Sequence, residues 1–227
     1  MKKKGFTLAE VLITLGIIGV VAAVTMPTLM ADTKYKQVGV KLAKFHTNLE
    51  NAARAYAAEH ESIESADDFK SFINQYYVFK DIYSTDDKGN TTAGGSSLAA
   101  TTETTLVGSK NDFSQNYAVL KDDTKIAFGT GSESDIDTTK YPENKYGVAS
   151  YRVYFNPNVS GLSSNAQSIY SFIVTTNGHV MPSKLDTCTE TLFANNWIVK
   201  KEYYSAKAST VKQGGKDVDV PGACYKS

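Results

Sequence analysis

The side chains that could do chemistry are few and scattered. Three histidines, His46, His60 and His179, stand far apart in a chain of 227 residues. Two cysteines, Cys188 and Cys224, are too few for a cysteine-rich zinc module. The sequence holds no Gly-x-Ser-x-Gly elbow, no His-Glu-x-x-His pair and no phosphate loop. Asp135 and Asp137 are weak candidates for calcium, set in a loop rich in Gly, Ser and Thr. Asp86-Asp87-Lys88-Gly89-Asn90 glances at a calcium loop, but Ser84 and Lys88 break the alternation of acidic ligands and leave a turn. The expectation is a protein that is not an enzyme, with no cofactor, no catalytic residue and no metal ligand. One ionisable residue is conspicuous by its place. Glu10 lies inside an apolar run, where a carboxylate costs up to about 2.5–3.5 kcal/mol at mid-bilayer. Such a charge calls for a partner.

The run around Glu10 opens with Met1-Lys2-Lys3-Lys4-Gly5 and then turns apolar from Phe6. Phe6 to Met30 is about 25 residues, which as a helix rises about 37 Å and spans a hydrocarbon core of about 30 Å. The lysines ahead of it place the N-terminus on the cytoplasmic side and the remainder outside. A cleaved secretory signal peptide, with Val21-Ala22-Ala23 as its cleavage site, is one plain reading. A simple anchor helix is another. Neither explains Glu10.

Gly5-Phe6-Thr7-Leu8-Ala9-Glu10-Val11-Leu12-Ile13 resembles the processing site of type IV prepilins and type II secretion pseudopilins. The resemblance implies that a membrane-embedded prepilin peptidase cuts after Gly5 and that Phe6 becomes the N-methylated first residue. Glu10 then matches the family's glutamate at the fifth mature position, and Pro27 the proline that kinks its long helix. The likeness covers roughly residues 1–60. It implies that Glu10 neutralises the Phe6 amine of a neighbouring subunit, a register check on assembly. It also places Cys188 and Cys224 outside the membrane, where a disulfide between them persists. Cleavage removes three lysines and shifts a formal charge of zero to about −3.

The remaining elements must carry this terminus. Val38, Leu42, Phe45, Leu49, Ala52 and Tyr56 form one helical stripe, with Lys41, Lys44, Asn48, Asn51 and Glu59 opposite. Ser65-Ala66-Asp67-Asp68 predicts a second helix start, followed by Phe69, Phe72, Ile73, Tyr76 and Phe79 at helical spacing. Residues 84–116, rich in Thr, Gly and Ser, read as a flexible exposed loop. Strands are expected at Tyr117–Lys121, Lys125–Phe128, Val148–Phe155 and Ile169–Thr175. The fold class is α+β: a long N-terminal helix, membrane anchor plus spine, packed on an antiparallel sheet head, as in pilins. The divisions are a leader at 1–5, an apolar helix at 6–30, an amphipathic spine at 31–60 and a head at 61–227.

Lys plus Arg and Asp plus Glu are 24 each, so no basic excess argues for coating a polyanion. Lys200, Lys201, Lys207, Lys212 and Lys216 are a local exception, read as a solvated surface or as a site for an acidic partner; nucleic acid lacks further support. The resemblance implies a structural subunit of a type IV pilus-like filament, anchored in the bacterial inner membrane with its head extracytoplasmic. Its partners would be other pilin-like subunits, the prepilin peptidase, an inner-membrane assembly platform and the lipid bilayer. A pseudopilin supporting protein export shares these motifs. A tethered binding module that never polymerises is the alternative from another class.

Overall fold

The computed structural model describes residues 5–85, 91–93, 117–162, 166–207, 209–213, 216–220 and 222–225. The leader residues 1–4, the Asp86–Asn90 turn and most of the expected loop, 86–90 and 94–116, lie outside the described residues. A single helix, α1, runs 53 residues from Leu8 to His60. It is continuous across position 27, where a proline gives up the hydrogen bond to the carbonyl four residues back. The side chains at 27–32 lie outside the described residues, so the kink expected at Pro27 stands as a proposal.

The Ser65 hydroxyl accepts the Asp68 N–H and the Asp68 carboxylate takes the Ser65 N–H, which starts α2 at Ala66–Tyr76. The helix is shorter than the aromatic spacing predicted. Phe79 opens a strand, β1 (Phe79–Thr85), because Tyr77 already has extended backbone geometry. Strand β2 (Thr91–Ala93) pairs with β1, so positions 84–85 and 91–93 are strand, not loop. Next come β3 (Tyr117–Leu120), β4 (Lys125–Thr130), the short helix α3 (Glu143–Tyr146), β5 (Ala149–Asn156), β6 (Tyr170–Thr175) and β7 (Val180–Pro182). A helix α4 (Thr187–Ala194) and a ribbon of β8 (Ser209–Gln213) and β9 (Lys216–Val220) complete the chain.

Among the described residues, seven strands form one sheet in the order β2-β1-β3-β4-β5-β6-β7, every neighbouring pair antiparallel. The fold is α+β, with the second half of α1 laid across the sheet. Alternation puts Val153 and Phe155 of β5 and Phe172 and Val174 of β6 against the helix. There Val38, Leu42, Phe45, Leu49, Ala53 and Tyr56 are buried. Ala53, not Ala52, completes the stripe. Phe45 stacks on Phe155 at 4.0 Å between centroids. Each large side chain buried here contributes about 1.5–3 kcal/mol.

The spine lies very close to its neighbours at two points. A Cβ on Gly39 would stand 2.3 Å from the Trp197 carbonyl oxygen, and one on Gly178 2.5 Å from the Ala53 carbonyl oxygen. Gly178 also has φ of +75°, which the tight β6–β7 turn requires.

Candidate functional site

The terminus is built on the first turn of α1. Thr7 is its N-cap: the hydroxyl accepts the Glu10 N–H at 3.3 Å. In return the Glu10 carboxylate takes the Thr7 N–H and the Thr7 hydroxyl through Oε2, each at 2.8 Å. This reciprocal box satisfies donors that a helix start leaves orphaned. Glu10 therefore has a role within its own chain, one the sequence reading missed. The signal was present, since Thr7-Leu8-Ala9-Glu10 is a Thr-x-x-Glu capping pattern. Oε1 has no hydrogen-bond partner among the described residues.

Beyond this turn, Leu8–Met26 is a helix long and apolar enough to cross a membrane, with none of it buried among the described residues. Its polar hydroxyls are satisfied internally. Thr14 donates to the carbonyls of Glu10 and Val11, and Thr25 to that of Val21. A Cβ added at Gly16 or Gly19 would meet no atom. This first half of α1 is thus a bare apolar rod with a capped, acidic first turn. It is continuous with the helix that organises the head.

The other site is a covalent one. Cys188, on α4, is bonded to Cys224 near the C-terminus, with Cα atoms 4.6 Å apart and both residues fully buried. Cys224 is held on both sides: its N–H donates to Tyr203 and its carbonyl accepts from Gln167. Just before Cys188 lies a buried carboxylate that sequence reasoning did not single out. Asp186 caps α4 through Thr189 and also accepts from Gln167, the Ser171 N–H and the Ser171 hydroxyl. It ties the disulfide helix to β6.

The candidate chemical groups are otherwise engaged. Asp135 is buried and paired with Arg152, which also donates to the Tyr154 hydroxyl. Asp137 accepts the Thr139 N–H and lies 3.6 Å from Lys140. Among the described residues, no group of three or more His, Cys, Asp or Glu side chains is placed to hold a metal ion. His46 is buried with Nε2 3.0 Å from the Val180 carbonyl; burial holds its pKa below the usual range, against the pull of that carbonyl and of Glu50. His179 contacts Arg54 at 3.0 Å, and His60 stacks on Tyr56. Of the basic cluster, Lys200 and Lys201 sit beside Tyr35 and Lys36 of the spine. The side chains of Lys212 and Lys216 lie outside the described residues.

Residues 1–26 match the family described as the prokaryotic N-terminal methylation motif. The chain thus carries the prepilin-type cleavage signal on an apolar helix that fits a membrane-anchored, single-pass protein. No curated protein and no solved structure matches the chain.

Proposed function

We propose that the chain is a pilin or minor pilin, a structural subunit that is cut after Gly5 by a prepilin peptidase, methylated at Phe6 and polymerised through its apolar helix into a type IV pilus-like filament. The single observation that carries this reading is the continuity of α1. Its first half is apolar and unpacked among the described residues, while its second half is the spine of the head's core. A signal peptide would be discarded, and nothing would need to join it rigidly to the fold. The methylation motif supports the processing step. The open Glu10 Oε1 and the unpacked Gly16 and Gly19 suit close approach by helices of neighbouring subunits. Other pilin-like subunits and an inner-membrane assembly platform are the partners, with the head outside the membrane. A type II secretion pseudopilin has the same terminus, and protein export is the readout that separates the two.

Mass spectrometry of the protein from its native host tests the reading. The expected N-terminus is Phe6 carrying one methyl group, with Gly5→Leu left uncut. An N-terminus near Val24 would overturn it.

A further inference from the structure

A groove of about 480 Å³ runs beside the spine. Lys41, Lys44, Asn48 and Asn51, one helical stripe of α1, form its first wall. The second wall is the junction of α2 and β1 at Tyr76–Val78 together with the turn between β3 and β4, and the floor is Phe45 and Phe155. The polar face of the spine therefore lines a concavity with an apolar floor, and Val78 stands 62% exposed at its lip. The groove is biased to positive charge. Lys41, Lys44 and Lys121 share it with one carboxylate, Asp122, which already accepts the Thr124 N–H and hydroxyl. Among the described residues, no carboxylate forms an ion pair with Lys44 or Lys121.

The opposite charge is gathered at the far end of the same spine. Glu59, Glu61 and Glu64 are exposed where α1 gives way to α2. Glu59 accepts the Gln75 amide, and none of the three has an ion pair among the described residues. Along the helix axis, Lys44 and Glu61 are about 25 Å apart.

We infer that the groove receives the acidic Glu59–Glu64 end of a second copy of this chain, parallel to the first and displaced along the spine by about 25–30 Å. The inference rests on the filament reading above and specifies its head-to-head contact. Copies anchored through Leu8–Met26 in one bilayer are necessarily parallel. At equal height they set groove beside groove and acidic end beside acidic end, and like charges repel. Displacement by the spacing of the two poles reverses the sign. That displacement is close to the roughly 30 Å of the hydrocarbon core, so the attractive contact is reached by a copy whose anchor has risen from the bilayer. The charge pattern thus favours an axial stack over a lateral patch in the membrane. A heterologous contact of this kind, groove on acidic end with a translation, propagates and does not close.

The test uses the full chain in its native host. Lys44→Glu with Lys121→Glu, and separately Glu61→Lys with Glu64→Lys, should each lower the sheared-filament yield about tenfold relative to membrane-fraction protein. All four changes together restore complementarity and should recover most of the yield. Retention of the Cys188–Cys224 bond checks folding. A second measurement leaves the charges of the groove in place: Asn48→Cys with Glu61→Cys should give a reducible ladder of multimers. Within one chain those positions are about 20 Å apart, too far for a disulfide. Charge-reversed variants that polymerise like wild type, a fourfold variant that does not recover, or the lack of a ladder would each overturn this contact while wild-type filaments keep the filament reading intact. Failure of the wild-type chain to enter filaments would overturn both.

Discussion

Thr7 and Glu10 close a capping box at the first turn of the long helix, and under the proposed cleavage after Gly5 both residues would remain in the mature chain with the box intact. Two roles of Glu10, cap and counter-charge, can therefore be separated. Gln at position 10 keeps the reach back to the Thr7 N–H but carries no charge. Glu10→Gln should insert and be processed like wild type, yet enter filaments about a hundredfold less, since a neighbour's buried amine would be left unpaired. Thr7→Val should do the reverse, losing a cap of about 0.5–2 kcal/mol while polymerising. Comparing sheared and membrane fractions decides the matter. Normal incorporation of Glu10→Gln would leave the cap as the residue's whole role and overturn the counter-charge.

What could be read without coordinates follows from how local each signal is. The β5 pattern is legible because Tyr151, Val153 and Phe155 share one face by the two-residue period, although Tyr154 is buried on the other face with Ala127 and Ile169. The sequence misplaces Phe79 because an aromatic three residues after Tyr76 fits a helix as well as a strand, and only the sheet decides. Ala52 and Ala53 both fit the helical period, and only the head decides that Ala53 is fully buried while Ala52 is half-buried beside the groove. Strand β7 is three residues long, too short to show any period. Asp186 is not legible in sequence as a tie because, beyond the local Thr189, its donors come from the remote 167–171 stretch. The groove is of the same kind: the sequence puts Lys41 and Lys44 opposite the apolar stripe, and only the fold brings the turn between β3 and β4 to face them.

The disulfide closes a loop spanning 36 positions, which in the chain-entropy view contributes about 3–4 kcal/mol. Cys224→Ser should lower the thermal midpoint and expose the C-terminal segment to protease, without changing insertion or cleavage. Thiol labelling of the denatured, unreduced protein checks the bond itself. Two labelled cysteines in wild type would contradict it.

Gly39 brings the spine within contact of the 197–199 segment, where a Cβ would lie 2.8 Å from the Val199 side chain as well as on the Trp197 carbonyl. Gly39→Ala improves helix propensity by about 1 kcal/mol, so a neutral position would be stabilised. Here the clash is with backbone that cannot step aside, and a net loss of about 1–3 kcal/mol is expected. Denaturant unfolding of the purified chain measures it, and Gly16→Ala is the control, since nothing surrounds that residue. A stabilised Gly39→Ala would show that the spine is not held as closely as described.

The histidines make head stability depend on pH in a defined direction. Burial holds His46 below its ordinary value of 6.5, against the pull of the Val180 carbonyl and Glu50. His179 is lowered in the same direction, first by burial and then by Arg54, with Glu50 opposing. Both are thus more easily protonated in the unfolded chain. Below about pH 6.5 the unfolded state binds more protons, so stability falls as pH drops and levels off beneath the folded values. The slope from His46 is at most about 1.4 kcal/mol per pH unit. A separate loss belongs to carboxylates such as Asp68, held below its ordinary 3.8 by the Ser65 hydroxyl and N–H, and it begins only as pH approaches that range. Unfolding curves at pH 7.5, 6.5 and 5.5 should therefore show a decline that His46→Gln flattens. If the variant keeps the wild-type slope, His46 takes up its proton in the folded head as readily as in the unfolded chain, and its place between Phe193, Trp197 and the Val180 carbonyl would have to accommodate an imidazolium.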